Sequence, residues 1–402
     1  MRNRRFAFGA IVLALALAAC QPSASGSPEE SATGEPSMAE ESAAASAATG
    51  FDACGTQDAG TSWMIGGVTD VGDLEDKSFN EAGWCGTLAG NAAVGGTAEV
   101  IVTESTEDYA ANIDTLISSG FNIIVTFGFA LGDATLDAAI ANPDVQFIGL
   151  DQFYCIDADG NRDTTPEGAP DCDGNGDFAT LVPNAQGLVF AEAQPGYLAG
   201  VLACSISESG VIGAVGGIFA IPPVPQYIGG YHNGCLSVNP DATVLVEYVS
   251  EDISVAFNDP DTGRQLADQM VEAGADVLFQ VAGGSGQGVL SAACDNDLYA
   301  IGVDVDQFNS SPDHQGCLVT SAEKKIVHAI QSAIERVDAG DNVGGNITGD
   351  ATNDGIGLAP FHNFEDLITD DIQAAIDAAY AGLADGSIDP CAGAGVCFFD
   401  PD

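Results

Sequence analysis

From residue 60 onward the chain alternates short apolar, β-branched runs with stretches whose apolar residues recur at helical spacing. The runs lie at 63–68, 98–103, 122–127 and 145–150, then at 211–215, 242–249, 276–282 and 298–303. Helical spacing fills 107–119, 130–141, 194–206, 262–274 and 286–296. Strands this short and this apolar belong to parallel sheets covered on both faces, with the intervening helices as the cover. The alternation breaks at 155–180, which is polar and rich in Gly, Asp and Pro, leaving about four strands on either side. A chain of 402 residues also exceeds what one core usually supports. The expected fold class is α/β, with two doubly wound lobes.

In such lobes ligands collect beyond the carboxyl ends of the strands. Here those ends carry carboxylates and glycines. The first strand ends at Asp70 and runs into V-G-D-L-E-D-K-S-F-N. The fourth reads F-I-G-L-D-Q and places Asp151. D-V-L-F-Q-V-A-G-G-S-G-Q-G ends in a glycine-rich turn from Gly283 to Gly288, and A-I-G-V-D-V-D-Q places Asp304 and Asp306. One Asp after a strand often only caps the next helix. Four such ends facing one cleft point to a ligand site. Within the first cluster, Asp76 and Lys77 read as a local ion pair. Ser78 reads as a helix cap, with Glu81 completing a capping box. On the residues alone Phe79 reads as a core residue of that helix.

The residues favour a binding protein over an enzyme. The four His, at 232, 314, 328 and 362, lack metal-ligand spacing. There is no G-x-S-x-G elbow and no phosphate-binding G-x-x-x-x-G-K-[ST] loop. G-G-S-G-Q-G is not the dinucleotide pattern. Paired Asp could serve a glycosidase, but only 2 Trp are available for sugar stacking. A hydrolase using Asp70 or Asp151, and a receptor for a sugar or autoinducer-like ligand, remain the alternatives.

With 9 basic residues against 59 acidic ones the formal charge is −50. That excludes a general affinity for nucleic acid or anionic lipid, which needs a basic surface. It fits a solvated acidic surface in salty surroundings.

Residues 1–20 read as a lipoprotein signal peptide: Arg2, Arg4 and Arg5, an apolar run from Phe6, then L-A-A-C ending at Cys20. That run is too short for a comfortable membrane span. Cys20 is the expected lipidation site. Residues 21–50, built of Ser, Ala, Glu, Gly and Pro, read as a flexible tether. Of the 11 Cys, the ten beyond Cys20 contain no C-x-x-C. Export favours disulfides, and pairing of sequence neighbours is the simplest pattern, with buried free thiols as the alternative. In the 155–180 stretch, D-A-D-G-N-R-D is followed by D-C-D-G-N-G-D. Asp171, Asp173, Asn175 and Asp177, with Gly176 in sixth place, resemble the start of an EF-hand calcium loop, although Val182 stands where the bidentate Glu belongs. Asp157, Asp159, Asn161 and Asp163 could complete one structural calcium site. An acidic solvated loop is the equal alternative.

T-D-V-G-D-L-E-D-K-S-F-N-E-A-G-W resembles the N-terminal signature of the basic membrane protein family. These are lipoproteins similar to purine nucleoside receptors of spirochaetes, the substrate-binding parts of ABC importers. The resemblance continues through G-F-A-L-G-D-A-T, A-N-P-D-V-Q-F, P-G-Y-L-A-G, A-V-G-G-I, I-P-P-V and S-V-N-P-D. It ends with A-G-G-S-G-Q-G-V, A-I-G-V-D-V-D-Q and L-V-T-S-A-E-K-K, and so spans 63 to about 358. It implies a type I periplasmic binding protein, two Rossmann-like lobes joined by three hinge strands. Lobe one would take 55–185 plus 308–340, and lobe two 186–307 plus 341–402. It implies a nucleoside in the cleft, an ABC permease as partner, and an extracytoplasmic, lipid-anchored location. By the same resemblance Asp70 and Asn80 hydrogen-bond the ligand, Phe79 stacks on a base and Asp151 contacts a purine. Gly283 and Gly284 let backbone approach the ligand, and Asp304 takes the ribose hydroxyls. Either Lys324 or Lys325 completes the site, Lys325 being preferred.

Overall fold

The computed structural model describes residues 54–156, 162–163, 182–341, 344–391 and 397. The signal peptide, Cys20, the tether and the expected Cys155–Cys172 bridge lie outside the described residues. So do the calcium candidates, apart from the backbone of Asp163.

The first lobe opens with β1 (Met64–Val71), α1 (Phe79–Val94), β2 (Thr97–Thr103), α2 (Tyr109–Ser118), β3 (Ile123–Phe127), α3 (Gly132–Ala141) and β4 (Gln146–Leu150). A two-residue antiparallel ladder, β5 (Cys155–Ile156) with β6 (Arg162–Asp163), precedes β7 (Ala185–Phe190). The second lobe holds α4 (Ala193–Ile206), β8 (Val211–Gly216), α5 (Pro223–Val238), β9 (Thr243–Tyr248), α6 (Ile253–Ala256) and α7 (Pro260–Glu272). It continues through β10 (Val277–Val281), α8 (Gly286–Asp295), β11 (Tyr299–Asp304), α9 (Gln307–Ser310) and β12 (Leu318–Lys324). The chain ends with α10 (Ile326–Ala339), β13 (Gly345–Gly349), β14 (Ile356–Leu358) and α11 (Asp370–Ala384).

One six-stranded sheet has the order β13-β7-β4-β3-β1-β2, the other β14-β12-β11-β10-β8-β9. All neighbours are parallel except β14, which runs antiparallel to β12. The chain passes from one sheet to the other after β7, after β12 and after β13. These passages redraw the expected lobe boundaries. β7 belongs to the first sheet and β12 to the second, while α10 packs on α1 and β13 returns to the first sheet. β12 escapes a hydropathy reading because L-V-T-S-A-E-K is half polar, yet all seven of its residues are buried.

β3 and β10 lie inside their sheets and are buried at every position, as continuous apolar runs demand. In the second lobe α4 packs against α5 at backbone contact. A Cβ on Gly200 would lie 2.0 Å from the Tyr231 carbonyl oxygen, and one on Gly234 2.0 Å from that of Tyr197. A disulfide joins Cys204 of α4 to Cys235 of α5. Cys54–Cys85, Cys294–Cys317 and Cys391–Cys397 are likewise bridged, so these four sets of neighbours pair as expected.

Candidate functional site

The strand ends of both sheets deliver their side chains to one cavity. Asp70 is the last residue but one of β1, and Asp151 follows β4 in a left-handed conformation, φ 56°. Asp304 closes β11, also left-handed at φ 66°, and Lys324 closes β12. Non-glycine residues rarely adopt this region, and such strain concentrates at functional sites. The first turn of α1 supplies Phe79 and Asn80. All six line one cavity, partly open to solvent, with about 680 Å³ of empty space when its open mouth is included. Gly283 lines it too, at φ 52° in the glycine turn. Gly284 stands one step back, where a Cβ would meet the Phe257 carbonyl oxygen at 2.8 Å.

Lys324, rather than the preferred Lys325, enters the cavity. Alternation along β12 decides this: Lys324 points inward and is 3% exposed. Lys325 lies past the strand end and pairs with Glu323. Lys324 Nζ is 2.5 Å from Asp151 Oδ2, 3.3 Å from Glu192 Oε1 and 3.9 Å from Asp304 Oδ1. It also lies 5.2 Å from the centre of the Phe79 ring and 5.6 Å from that of Tyr227. Burial opposes the ammonium's charge, but the three carboxylates outweigh it and raise the Lys324 pKa. Burial raises Asp151 and Asp304 above the usual carboxylate range, with Lys324 opposing the rise in both.

The D-V-G-D-L-E-D-K-S-F-N segment works differently from its sequence reading. Asp76, not Ser78, holds the start of α1. Its Oδ1 accepts from the Ser78 and Glu81 amides at 2.9 and 3.2 Å, and its Oδ2 from Asn80 at 3.0 Å. Burial pushes the Asp76 pKa up to about 7 against those bonds. The Ser78 hydroxyl reaches across to the second lobe and donates to Asp304 Oδ2 at 2.7 Å. Lys77 pairs with Glu81 at 3.2 Å rather than with Asp76. Its carbonyl accepts from Gln307 Nε2 at 3.0 Å and from the Ser310 hydroxyl at 2.7 Å.

Asp70 Oδ1 accepts from the Tyr109 hydroxyl and from the Val71 amide. Burial raises its pKa to about 6, with Tyr109 opposing. Asn80 Nδ2 donates to the Asp73 carbonyl at 3.3 Å. Two buried acceptors are left over: Asn80 Oδ1 and Asp151 Oδ1 have no partner among the described residues.

Sequence reasoning missed several residues here. Phe129, Phe257 and Tyr227 add aromatic surface to the cavity. Phe129 sits inside G-F-A-L-G-D-A-T, a block already quoted, so a signal existed. Phe257 follows the short α6 and packs over Gly217, where a Cβ would come within 2.3 Å of its ring. Glu192 had no signal either, because nothing in F-A-E-A-Q-P-G marks a buried carboxylate.

Two parallel α/β sheets whose strand ends share one walled, polar-and-aromatic cleft define a two-lobed receptor for a small molecule. The chain belongs to the family described as Bmp, ABC transporter substrate-binding protein PnrA-like, whose family model matches residues 64–381. It is 28% identical over 341 residues to the CD4+ T-cell-stimulating antigen of Listeria monocytogenes, covering 80% of this chain and 86% of that one. It is 28% identical over 340 residues to the ABC transporter nucleoside-binding protein BmpA of Lactococcus lactis, covering 80% and 87%. The fold is similar to a solute-binding protein of an Aeropyrum pernix ABC transporter system, with TM-score 0.68, 21% identity, and 81% and 92% of the two chains covered. A Conexibacter woesei counterpart gives TM-score 0.60 at 24% identity, covering 82% and 98%. The protein is therefore a substrate-binding component of an ABC transporter, which binds a small ligand and works with a permease, and not an enzyme. Among the described residues no helix is long and apolar enough to cross a membrane.

Proposed function

We propose that the cleft carries a purine nucleoside and that a lipid on Cys20 holds the receptor at the membrane. The observation that carries the ligand reading is the pair of unpartnered buried acceptors, Asn80 Oδ1 and Asp151 Oδ1, at a cavity with aromatic walls. A buried acceptor without a donor costs about 1–3 kcal/mol, so the ligand has to bring N–H or O–H groups to it. A purine base offers edge donors together with a flat face for Phe79. Its ribose offers hydroxyls to Asp304. The cavity's cation, Lys324, is already engaged by three carboxylates, which disfavours a phosphate. The nucleoside-binding relative in Lactococcus lactis supports the same reading.

Thermal melting with inosine, guanosine, adenosine, ribose and inosine monophosphate tests it. A ligand binding only the folded state raises the melting point by mass action. The nucleosides should raise it, while ribose and the phosphate should not. A shift with ribose alone would favour a sugar receptor. For the anchor, Cys20→Ala should release the protein from membranes, and retention at the membrane would refute lipidation.

A further inference from the structure

Glu192 is buried, 4% exposed, between β7 and α4, where the chain first passes from one lobe to the other. Lys324 ends β12, at the second passage. The passages are laced together: the Ala191 amide donates to the Gly349 carbonyl at 3.0 Å and the Lys325 amide to that of Gly355 at 2.9 Å. Glu192 is outside the wall of the main cavity. It lines a smaller recess beside it, together with Asp151, Phe129, Phe190 and Gln226.

An ammonium has three N–H donors. Around Lys324 stand three carboxylates, and Asp151 is engaged through Oδ2 alone. Asp151 Oδ1 stays unpartnered although it is buried. We infer that Glu192 is a positioning residue for ligand: by holding the Lys324 ammonium to one side of Asp151, it keeps Asp151 Oδ1 free to accept from the ligand. The inference rests on the nucleoside reading of the cleft.

Without the Glu192 charge the ammonium settles onto both Asp151 oxygens, and the ligand loses its acceptor. Burial holds the Glu192 pKa up to about 7, with Lys324 opposing the rise and Asp151 adding to it. Protonation near neutral pH then does what a Gln substitution does. The titratable and charged groups that face Glu192 are Lys324 from β12, Asp151 after β4, Asp304 from β11 and Tyr227 from α5, with Glu323 of β12 beyond them. Burial raises Asp151 and Asp304 as well, with Lys324 opposing the rise in both, and Glu192→Gln leaves these two carboxylates in place. Ligand affinity falls as pH drops through about 7.

The test compares the full folded protein with Glu192→Gln. Inosine affinity is measured calorimetrically on either side of pH 7, and NMR follows the lysine ammonium groups of the ligand-free protein across the same range. Lys324 is easily assigned because the chain has three lysines, Lys77, Lys324 and Lys325. At alkaline pH the variant should bind roughly 10–100-fold more weakly, the loss of one charge-assisted hydrogen bond. Its affinity should also show a shallower pH slope, and the Lys324 signal should move less with pH in the variant than in the wild type. Equal affinity with equal slope overturns the inference, as does weaker binding that keeps the wild-type slope. If no nucleoside binds the wild type, the nucleoside reading fails instead. The ammonium signal then decides alone: reduced titration in the variant preserves the positioning role, and unchanged titration ends it.

Discussion

Lys324 Nζ and Asp151 Oδ2 lie 2.5 Å apart, although the two residues stand at the ends of strands in different sheets. This contact ties the lobes together at the floor of the ligand cavity. It brings one cation to a place where Asp151, Glu192 and Asp304 would otherwise repel one another in a buried setting.

Lys324→Met should therefore destabilise the apo protein by about 3–5 kcal/mol, because it leaves buried carboxylates without a counter-ion. Urea unfolding measures this. Adding Asp151→Asn and Glu192→Gln to the Met variant should recover part of the loss. A Met variant as stable as the wild type would show that the cluster is not held by charge.

Asp304→Ala should weaken inosine binding roughly 10–100-fold and hypoxanthine binding much less, since the ribose hydroxyls would lose a charged acceptor. Ser78→Ala should have a smaller effect in the same sense, as its hydroxyl fixes Asp304 Oδ2. Competition calorimetry with nucleoside and free base separates the two cases. Equal losses would move Asp304 away from the sugar.

Acid should stabilise this protein over part of the pH range. Asp70 and Asp76 have folded-state pKa values near 6 and 7, above the ordinary 3.8. Between about pH 4 and 7 the folded state binds protons that the unfolded chain has released, so stability falls as pH rises. The contribution is complete below the unfolded value and is lost by the time pH passes the folded ones. Melting points across this window should decline, with a shallower decline in Asp70→Asn. A melting point that climbs from pH 4 to 7 would contradict the assignment.

The charge of −50 should make stability depend on salt. Raising ionic strength from about 0.01 M to about 1 M shortens the screening length from about 30 Å to about 3 Å, and relieves self-repulsion. The melting temperature in sodium chloride should rise over that range. A flat response would mean that the acidic surface is already neutralised locally.

The core strands were legible in the sequence because buried parallel strands are continuous apolar runs. All eight that the pattern marked are strands in the structure. β7 and β12 were not so marked. β7 follows a polar stretch and carries Gln186 and Gly187 in its apolar run, and β12 mixes Thr, Ser, Glu and Lys into a buried strand. Several of its polar groups are satisfied by tertiary partners, as when Thr320 donates to the Ala359 carbonyl and Lys324 meets Asp151. The strand-end carboxylates were legible because doubly wound sheets deliver their carboxyl ends to one place. What could not be read was direction: which of two adjacent lysines points inward, or that Ser78 donates across the cleft while Asp76 does the capping. Those facts depend on strand register and on contacts more than two hundred residues apart in sequence, such as Ser78 with Asp304. The Phe257 wall depends on packing inside the second lobe, over Gly217, and the place of Glu192 on its contact with Lys324 from the other sheet, and no local pattern exists for either.

The central claim is that this cleft binds a purine nucleoside and returns it unchanged. Calorimetric titration with inosine, followed by chromatography of the recovered ligand, tests it most directly. The account predicts saturable one-to-one binding, near-complete loss of the heat in an Asp151→Ala/Asp304→Ala variant, and intact inosine at the end. No binding by any purine nucleoside, or stoichiometric release of free hypoxanthine, would contradict it.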